Sequence, residues 1–136
     1  MIRIAAALAL SLAALPVSAQ QVDWRTLGEA LHDTRPQGPE MSSGTQAVLR
    51  ALDKVSGDVE DLPVDVGATT SYGRLTIALT ACRFPTENPA SDAFAFLQIT
   101  DNIGAESVFR GWMIASSPAL NALDHPRYDV WVLSCS

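Results

Sequence analysis

The segment from Val108 to Cys135 constrains the fold of this chain more than any other stretch. It reads as a strand, a helical turn that begins near Ser117, a sharp loop at Pro126, and a last strand. It contains two of the three tryptophans and one of the two cysteines. Because large aromatic side chains contribute most of their stabilisation when they are buried, the core must be built against this segment.

Short apolar or β-prone runs, some of them with period-two alternation, and the turn residues between them predict the remaining elements. The clearest strand runs from Leu75 to Phe84, and turn residues such as Gly and Pro separate it from its neighbours. Further strands are predicted over 47–53, 59–66, 69–72, 93–100, 107–115 and 128–135. The sequence therefore predicts an all-β fold, a small antiparallel sandwich or barrel of six to seven strands with one short helical turn near the C-terminus.

Three local expectations follow from these patterns. Strict alternation places Ala81 on the face of Leu75, and Cys82 on the opposite face. The run 93–100 is almost continuously apolar, as in a strand buried on both faces. In the helical turn, Leu120 and Leu123 are three residues apart and are expected to face the core.

The first nineteen residues resemble a cleavable signal peptide. Arg3 precedes an apolar run, Ile4–Leu15, and Val17-Ser18-Ala19 is a small-residue cleavage site. The mature chain would begin at Gln20, in the periplasm, and would contain no second run long enough to span a bilayer. Its strongly acidic balance argues against nucleic acid and anionic lipid as partners.

Residues 20–45 are predicted to be a flexible tail or linker, and residues 46–136 a single β domain. Proline, glycine and serine are frequent in the tail. Within it, Trp24, Leu27 and Leu31 lie at helical spacing. They either form a short amphipathic segment that contacts a partner or its own domain, or are scattered apolar residues of a tail.

The two cysteines, Cys82 and Cys135, are expected to form a disulfide, because an even count in an oxidising compartment favours pairing. Cysteines and histidines are not spaced closely enough for a zinc site. The chain also lacks a glycine-rich phosphate loop. We therefore assign neither a metal nor a cofactor.

Three sets of polar residues contain the residue types that catalysis or ion binding requires. A serine hydrolase needs a serine, a histidine and a carboxylate in contact, and such residues occur together at Ser116, Ser117, Asp124, His125 and Asp129. Glycoside hydrolysis needs facing carboxylates, for which loop residues are available at Glu87, Asp92, Asp101 and Glu106. An acidic run suggests calcium, although its spacing departs from known loops, at Asp53, Asp58, Glu60, Asp61 and Asp65. Capping, turn and solvated roles explain all three sets better, so we assign no catalytic residue and leave enzymatic activity open.

Arg110, Trp112 and Tyr128 are the candidate interaction residues within the domain. Arg110 interrupts an otherwise apolar strand. If Trp112 and Tyr128 are exposed together, they mark a recognition patch; otherwise they belong to the core.

Several blocks of the chain resemble a family of secreted bacterial proteins known as domain of unknown function 2155. The blocks are Leu52–Gly57, Tyr72–Leu75 with Ala81–Arg83, and Asp92–Phe96, and the longest runs from Phe109-Arg110-Gly111-Trp112-Met113 to Cys135. The resemblance covers roughly residues 46–135 and brings no known activity or catalytic residue. It implies an envelope protein of a Gram-negative bacterium, and an association with genes for an accessory subunit of respiratory NADH:quinone oxidoreductase.

These observations favour a non-catalytic periplasmic domain that binds another protein, accessory to a respiratory membrane complex on its periplasmic side. The alternative is a domain that binds or hydrolyses envelope glycan. A cleft lined by two carboxylates and exposed aromatics would favour glycan, whereas a flat apolar patch without convergent acids would favour a protein partner.

The signal-peptide hypothesis predicts a defined mature N-terminus. Ala19→Gln should block processing, because the residue before the cleavage site must be small. Ser18→Gln is the matched control, since the middle position of the motif is unrestricted. Intact-mass measurement of the exported protein should give a chain that starts at Gln20 for wild type and Ser18→Gln. Full-length wild-type protein in the cytoplasm would contradict the hypothesis.

Overall fold

The computed structural model describes residues 38–136, which fold into eight strands in two antiparallel sheets. The strands are β1 (Met41–Ser43), β2 (Gln46–Asp53), β3 (Val59–Asp65), β4 (Thr69–Tyr72), β5 (Leu75–Pro85), β6 (Phe94–Asp101), β7 (Glu106–Ile114) and β8 (Tyr128–Cys135). A single 3-10 turn spans Pro118–Leu120. The predicted all-β class and the helical turn are confirmed. The predicted signal peptide and Trp24, Leu27 and Leu31 lie outside the described residues.

The larger sheet has the order β1-β5-β6-β7, and β4 also pairs with β5. β4 covers the first part of β5, from Leu75 to Ala78, and β1 covers its end, from Arg83 to Pro85. The smaller sheet has the order β3-β2-β8. One continuous core contains residues of both sheets, so the architecture is a sandwich. No helix among residues 38–136 is long and apolar enough to cross a membrane.

β1 was not predicted, and it lies within the segment that the sequence assigns to the tail. It pairs with β5 through the register Met41↔Pro85 to Ser43↔Arg83. Its three residues lack an alternating pattern, because only one edge contacts the sheet and none of its side chains is fully buried. Pattern alone therefore could not detect it.

The strict alternation predicted for β5 fails after Leu79. The register with β6 shifts there, so that Leu79 pairs with Leu97 but Ala81 pairs with Phe96. This β-bulge adds one residue to β5. Each later side chain of the strand therefore points to the opposite side of the sheet from that expected by strict alternation. As a result Cys82, and not Ala81, is buried beside Ala95.

β8 contains a second bulge of the same kind. Leu49 pairs with Val132 and Val48 pairs with Ser134, which leaves Leu133 as the extra residue. By strict alternation Cys135 would share the face of Trp131, but it is buried with Val130 and Val132. The two bulges thus turn both cysteines into the core.

The predicted disulfide between Cys82 and Cys135 is present, with a Cα–Cα distance of 5.8 Å. It joins β5 of the larger sheet to β8 of the smaller sheet. The two cysteines are separated by 53 residues along the chain. A cross-link of this span is expected to stabilise the fold by about 4 kcal/mol, through loss of entropy in the unfolded chain.

Two other local expectations require correction. β6 lies between β5 and β7, yet only one of its faces is buried: Ala95, Leu97 and Ile99 point inward, whereas Phe94 and Phe96 are partly exposed. The 3-10 turn ends at Leu120, so Leu120 and Leu123 do not share a helical face: Leu123, beyond the turn, is buried, whereas Leu120 is 76% exposed.

β7 is an edge strand of its sheet, and a side chain covers part of that edge. The Asn121 side-chain amide donates a hydrogen bond of 2.9 Å to the backbone carbonyl of Trp112. A Cβ atom at Gly111 would lie 2.7 Å from the Asn121 Nδ2 atom. Glycine at this position therefore allows the amide to approach the strand.

Loss of the disulfide should lower the free energy of unfolding by about 4 kcal/mol. The double variant Cys82→Ala/Cys135→Ala should shift the urea midpoint accordingly in equilibrium denaturation. Reductant should shift the wild-type midpoint in the same direction and leave the variant unchanged. A wild-type midpoint that does not respond to reductant under fully reducing conditions would contradict the assigned role of the bond.

Candidate interaction surface and a buried polar network

The outer side of the larger sheet carries a set of aromatic and apolar residues on neighbouring strands. Cross-strand pairs of an antiparallel sheet point to the same side. The register pairs Phe94 with Ile114 and Phe96 with Trp112. It also pairs Arg83 with Phe94, across the other neighbour of β6. We call Phe94, Phe96, Trp112 and Ile114 the aromatic face.

The rings of the aromatic face are held by specific contacts. Phe96 and Trp112 meet edge to face, with ring centroids 5.4 Å apart. The guanidinium carbon of Arg83 lies 5.7 Å from the centroid of the Trp112 ring, within the range of a cation–π interaction. All four members of the aromatic face are only partly buried. The surface is therefore apolar, ordered and accessible in the part of the chain that the structure describes.

A shallow depression of about 420 Å³ adjoins the aromatic face. It is lined by Gly38, Pro39, Met41, Arg83, Phe94 and Trp112. None of these residues is acidic. A second groove, of about 370 Å³, lies beside β8, with Trp131 and Asp129 among its lining residues.

The predicted interaction residues are separated by the fold. Arg110 and Trp112 lie on the outer side of β7, where Arg110 is exposed and Trp112 is partly exposed. Tyr128 is only 4% exposed and belongs to the core. Its ring stacks on His125 and meets Tyr72 edge to face. The joint exposure of Trp112 and Tyr128 is therefore not found, and Tyr128 is removed from the surface set.

A buried polar network occupies one end of the sandwich and joins its turns. Asp101, at the end of β6, accepts hydrogen bonds from His125 at 3.1 Å and from the backbone N–H of Ile103 at 3.0 Å. The same carboxylate forms an ion pair of 2.8 Å with Arg74 from the β4–β5 turn. Lys54, after β2, donates to the backbone carbonyl of His125 at 2.6 Å.

The hydrogen bonds fix the tautomer of His125. Its Nδ1 atom accepts two backbone N–H groups, from Arg127 at 3.1 Å and from Tyr128 at 3.0 Å. The proton must therefore be on Nε2, which donates to Asp101. Since the ring is 3% exposed and both nitrogens are occupied, it orients the start of β8 and is not available as a general base.

Asp53 forms the second half of the network at the end of β2. It accepts hydrogen bonds from Arg127, the shorter at 2.7 Å, and from the backbone N–H of Val55 at 2.9 Å. The Arg127 guanidinium, with the Val55 N–H, lowers the pKa of Asp53 below its ordinary value. For Asp101, the N–H of Ile103 lowers the pKa most, with His125 and Arg74 adding to the effect against the opposing cost of burial.

The fold does not bring together the residues of the serine hydrolase set. Ser116 donates its hydroxyl to Asp92 at 2.7 Å, and not to His125. Ser117 precedes the 3-10 turn without a side-chain capping bond. Asp129 accepts the backbone N–H of Val130. Among residues 38–136, therefore, no serine is aligned with the histidine for nucleophilic attack.

The loop carboxylates do not form a facing pair of catalytic acids. Asp92 precedes β6, whereas Asp101 ends it, which separates them by about 30 Å along the strand. Catalytic pairs of glycosidases are roughly 5 to 9.5 Å apart. Glu106 pairs in register with Asp101, but the Asp101 side chain is buried in the network. Glu87 is an exposed residue between β5 and β6.

The acidic run near β2 and β3 is engaged by side chains and backbone groups. Asp61 forms a two-point ion pair with Arg50, the shorter contact being 2.6 Å. Asp65 accepts the Gln46 amide at 2.9 Å. In the described part of the chain, no group of three or more acidic, histidine or cysteine side chains is arranged to hold a metal ion.

The polar network was missed because its members are distant in sequence and individually unremarkable. Asp53 and Asp101 each end a strand and precede a turn, which is the one signal that the sequence offers. The partners Arg74, His125 and Arg127 lie in loops whose geometry only the tertiary structure defines.

Comparison with known proteins places the chain in a family. Residues 47–135 match the family model described as "Uncharacterized protein conserved in bacteria (DUF2155)". The chain belongs to this family. The matched residues extend from β2 to the last residue of β8, so DUF2155 comprises most of the sandwich, including both cysteines.

A relative of this DUF2155 chain is the uncharacterized protein RP359 of Rickettsia prowazekii (strain Madrid E). The two are 26% identical over 99 residues, which is 71% of this chain and 64% of that protein's length. The chain therefore spans less than two thirds of this relative. No solved structure matches the chain.

The polar network should make stability depend on pH through Asp101. Its lowered pKa contributes stability above the ordinary carboxyl pKa of about 3.9. That stability is lost as the pH falls through the lower value of the folded state. Asp101→Asn should therefore be less stable than wild type at pH 7, and the gap in urea midpoint should narrow below about pH 4.

Asp124→Asn, at an exposed position of the same loop as His125, is the matched control. It removes one carboxylate without removing a hydrogen bond of the network. A constant difference between Asp101→Asn and wild type across the whole pH range would contradict the assigned role.

Proposed function

We propose that this protein is a non-catalytic periplasmic binding module that contacts another protein through the aromatic face. The observation that carries the proposal is the one-sided burial of β6. The sequence of this strand is as apolar as that of a strand covered on both sides, yet the described residues cover only one. Its outer aromatic side chains are therefore available to a second molecule.

The composition of the face supports a protein partner over a glycan. Edge-to-face aromatics flanked by an arginine are typical of the residues that dominate protein interfaces. No carboxylate lines the adjoining depression among the described residues, whereas a glycosidase site requires two. The buried network at the end of the sandwich keeps its only histidine occupied, so it offers no competing reactive centre.

A membrane complex on its periplasmic side is the proposed location of the partner. This part of the proposal rests on the predicted signal peptide and on the resemblance described above. In its support, the acidic overall charge disfavours direct adsorption to anionic lipid. Attachment to a membrane would then depend on a protein that resides there.

Substitution of the face should abolish co-purification of a membrane protein. Phe96→Ala/Trp112→Ala removes the edge-to-face pair, and such central aromatics commonly contribute about 2 kcal/mol or more to binding. The double variant should lose a partner that the tagged wild-type protein retains in fixed stoichiometry after detergent solubilisation. Urea denaturation should verify that each variant is folded.

Val59→Ala is the matched control. Val59 is apolar and 56% exposed, but it belongs to the smaller sheet. Equal loss in both variants, or no partner for the wild type, would contradict the proposal. If the protein bound isolated peptidoglycan and this binding depended on Trp112, the glycan-binding function would replace the proposed protein-binding function.

A further inference from the structure

The cationic side chains of the described residues are distributed unevenly between paired and unpaired positions. Arg50, Arg74 and Arg127 form ion pairs with carboxylates, and Lys54 is bonded to the His125 carbonyl. Arg83 and Arg110 remain, and within residues 38–136 neither forms a salt bridge. Both are exposed.

The two unpaired arginines flank the aromatic face. Arg83 pairs in register with Phe94 and lies over the Trp112 ring. Arg110 is two residues before Trp112 on β7 and pairs with Gln98. Because successive outward positions of a strand are two residues apart, Arg110 and Trp112 point to the same side. One arginine thus lies on each side of the rings.

The outer side of β5, β6 and β7 is free of acid in the described structure. Its strand residues are polar, apolar or cationic, namely Thr76, Ala78, Thr80, Ala81, Arg83, Phe94, Phe96, Gln98, Thr100, Ser107, Arg110, Trp112 and Ile114. Acidic residues outnumber basic ones over 38–136 as a whole. The aromatic face is therefore a locally positive surface on a negatively charged molecule.

From this charge pattern we infer that the partner presents an acidic segment, with aspartate or glutamate beside apolar side chains. The inference rests on the proposed function and adds the chemistry of the partner. The two guanidinium groups, which pair with no carboxylate within residues 38–136, would pair with those of the segment, while its apolar residues pack on Phe96 and Trp112. The rest of the acidic surface would repel the same segment, which fixes where it binds.

Nucleic acid and anionic lipid are disfavoured as the source of this negative charge. Both present extended arrays of phosphates. Phosphates that reach past the aromatic face would meet the acidic remainder of a molecule of net charge −6 and be repelled. A short acidic peptide segment contacts the two arginines and the rings without approaching the remaining carboxylates. The face thus fits a protein segment better than a charged polymer or bilayer.

The test is photo-crosslinking from Gln98, an exposed position beside Arg110 on the outer side of β6. p-Benzoylphenylalanine at this position should cross-link the full-length protein to a membrane-associated protein in intact cells. Mass spectrometry should locate the attachment in a segment rich in aspartate or glutamate. Arg83→Glu/Arg110→Glu should lower the yield by about tenfold or more, because like charges then face each other.

Arg83→Lys/Arg110→Lys is the charge-preserving control and should retain most of the cross-link. Arg83→Gln/Arg110→Gln should give an intermediate loss, and urea midpoints should show that every variant is folded. Attachment to a neutral or basic segment, or a yield that ignores the charge at these positions, would overturn the acidic chemistry while leaving protein binding intact.

Other products would contradict the proposals more broadly. A cross-link to glycan or lipid would overturn both this inference and the proposed function. A product that stays within one polypeptide would show that the chain covers its own face, and would likewise overturn both. Both proposals would also be contradicted if Gln98 gave no cross-linked product and the Phe96→Ala/Trp112→Ala variant still co-purified the membrane protein as wild type does.

Discussion

The covalent link between Cys82 and Cys135 depends on two departures from regular strand geometry. In a strand of period two, each cysteine would point away from the core, and the sulfur atoms could not meet. One extra residue in β5 and one in β8 turn both side chains inward. The bond then connects the larger sheet to the smaller at the point where the last strand ends. A domain of this size has a net free energy of unfolding of only about 5 to 15 kcal/mol, and the disulfide contributes a substantial share of it.

The same two bulges explain how much of the fold could be predicted. Alternation located β2 to β8 with small errors at their ends, because each has one face in the core. It could not predict where alternation breaks, since Thr80 and Leu133 carry no residue signal of a bulge. It also missed β1, whose side chains lack full burial. The pairing of the cysteines was predictable from their number together with the predicted export, but the geometry that permits it was not.

The polar network and the aromatic face show opposite relations between sequence and structure. The network is invisible in sequence because Asp101, Arg74 and His125 meet only in three dimensions. The aromatic face was visible as an apolar run, but that run predicts burial on both sides of β6. Among residues 38–136, the structure shows cover on one side only. This excess of apolar character over what the core of the described residues requires is the basis for proposing β6 as a binding element.

The hydrogen bond from the Asn121 amide to the Trp112 carbonyl lies on the exposed edge of the larger sheet. An edge strand with unpaired backbone carbonyls can pair with a strand of another copy, and repetition of this pairing leads to aggregation. Here one of those carbonyls, that of Trp112, is already occupied by the Asn121 amide, and Gly111 leaves the space that this side chain needs. A second copy that added to β7 would have to displace this amide, which disfavours strand addition beside Trp112.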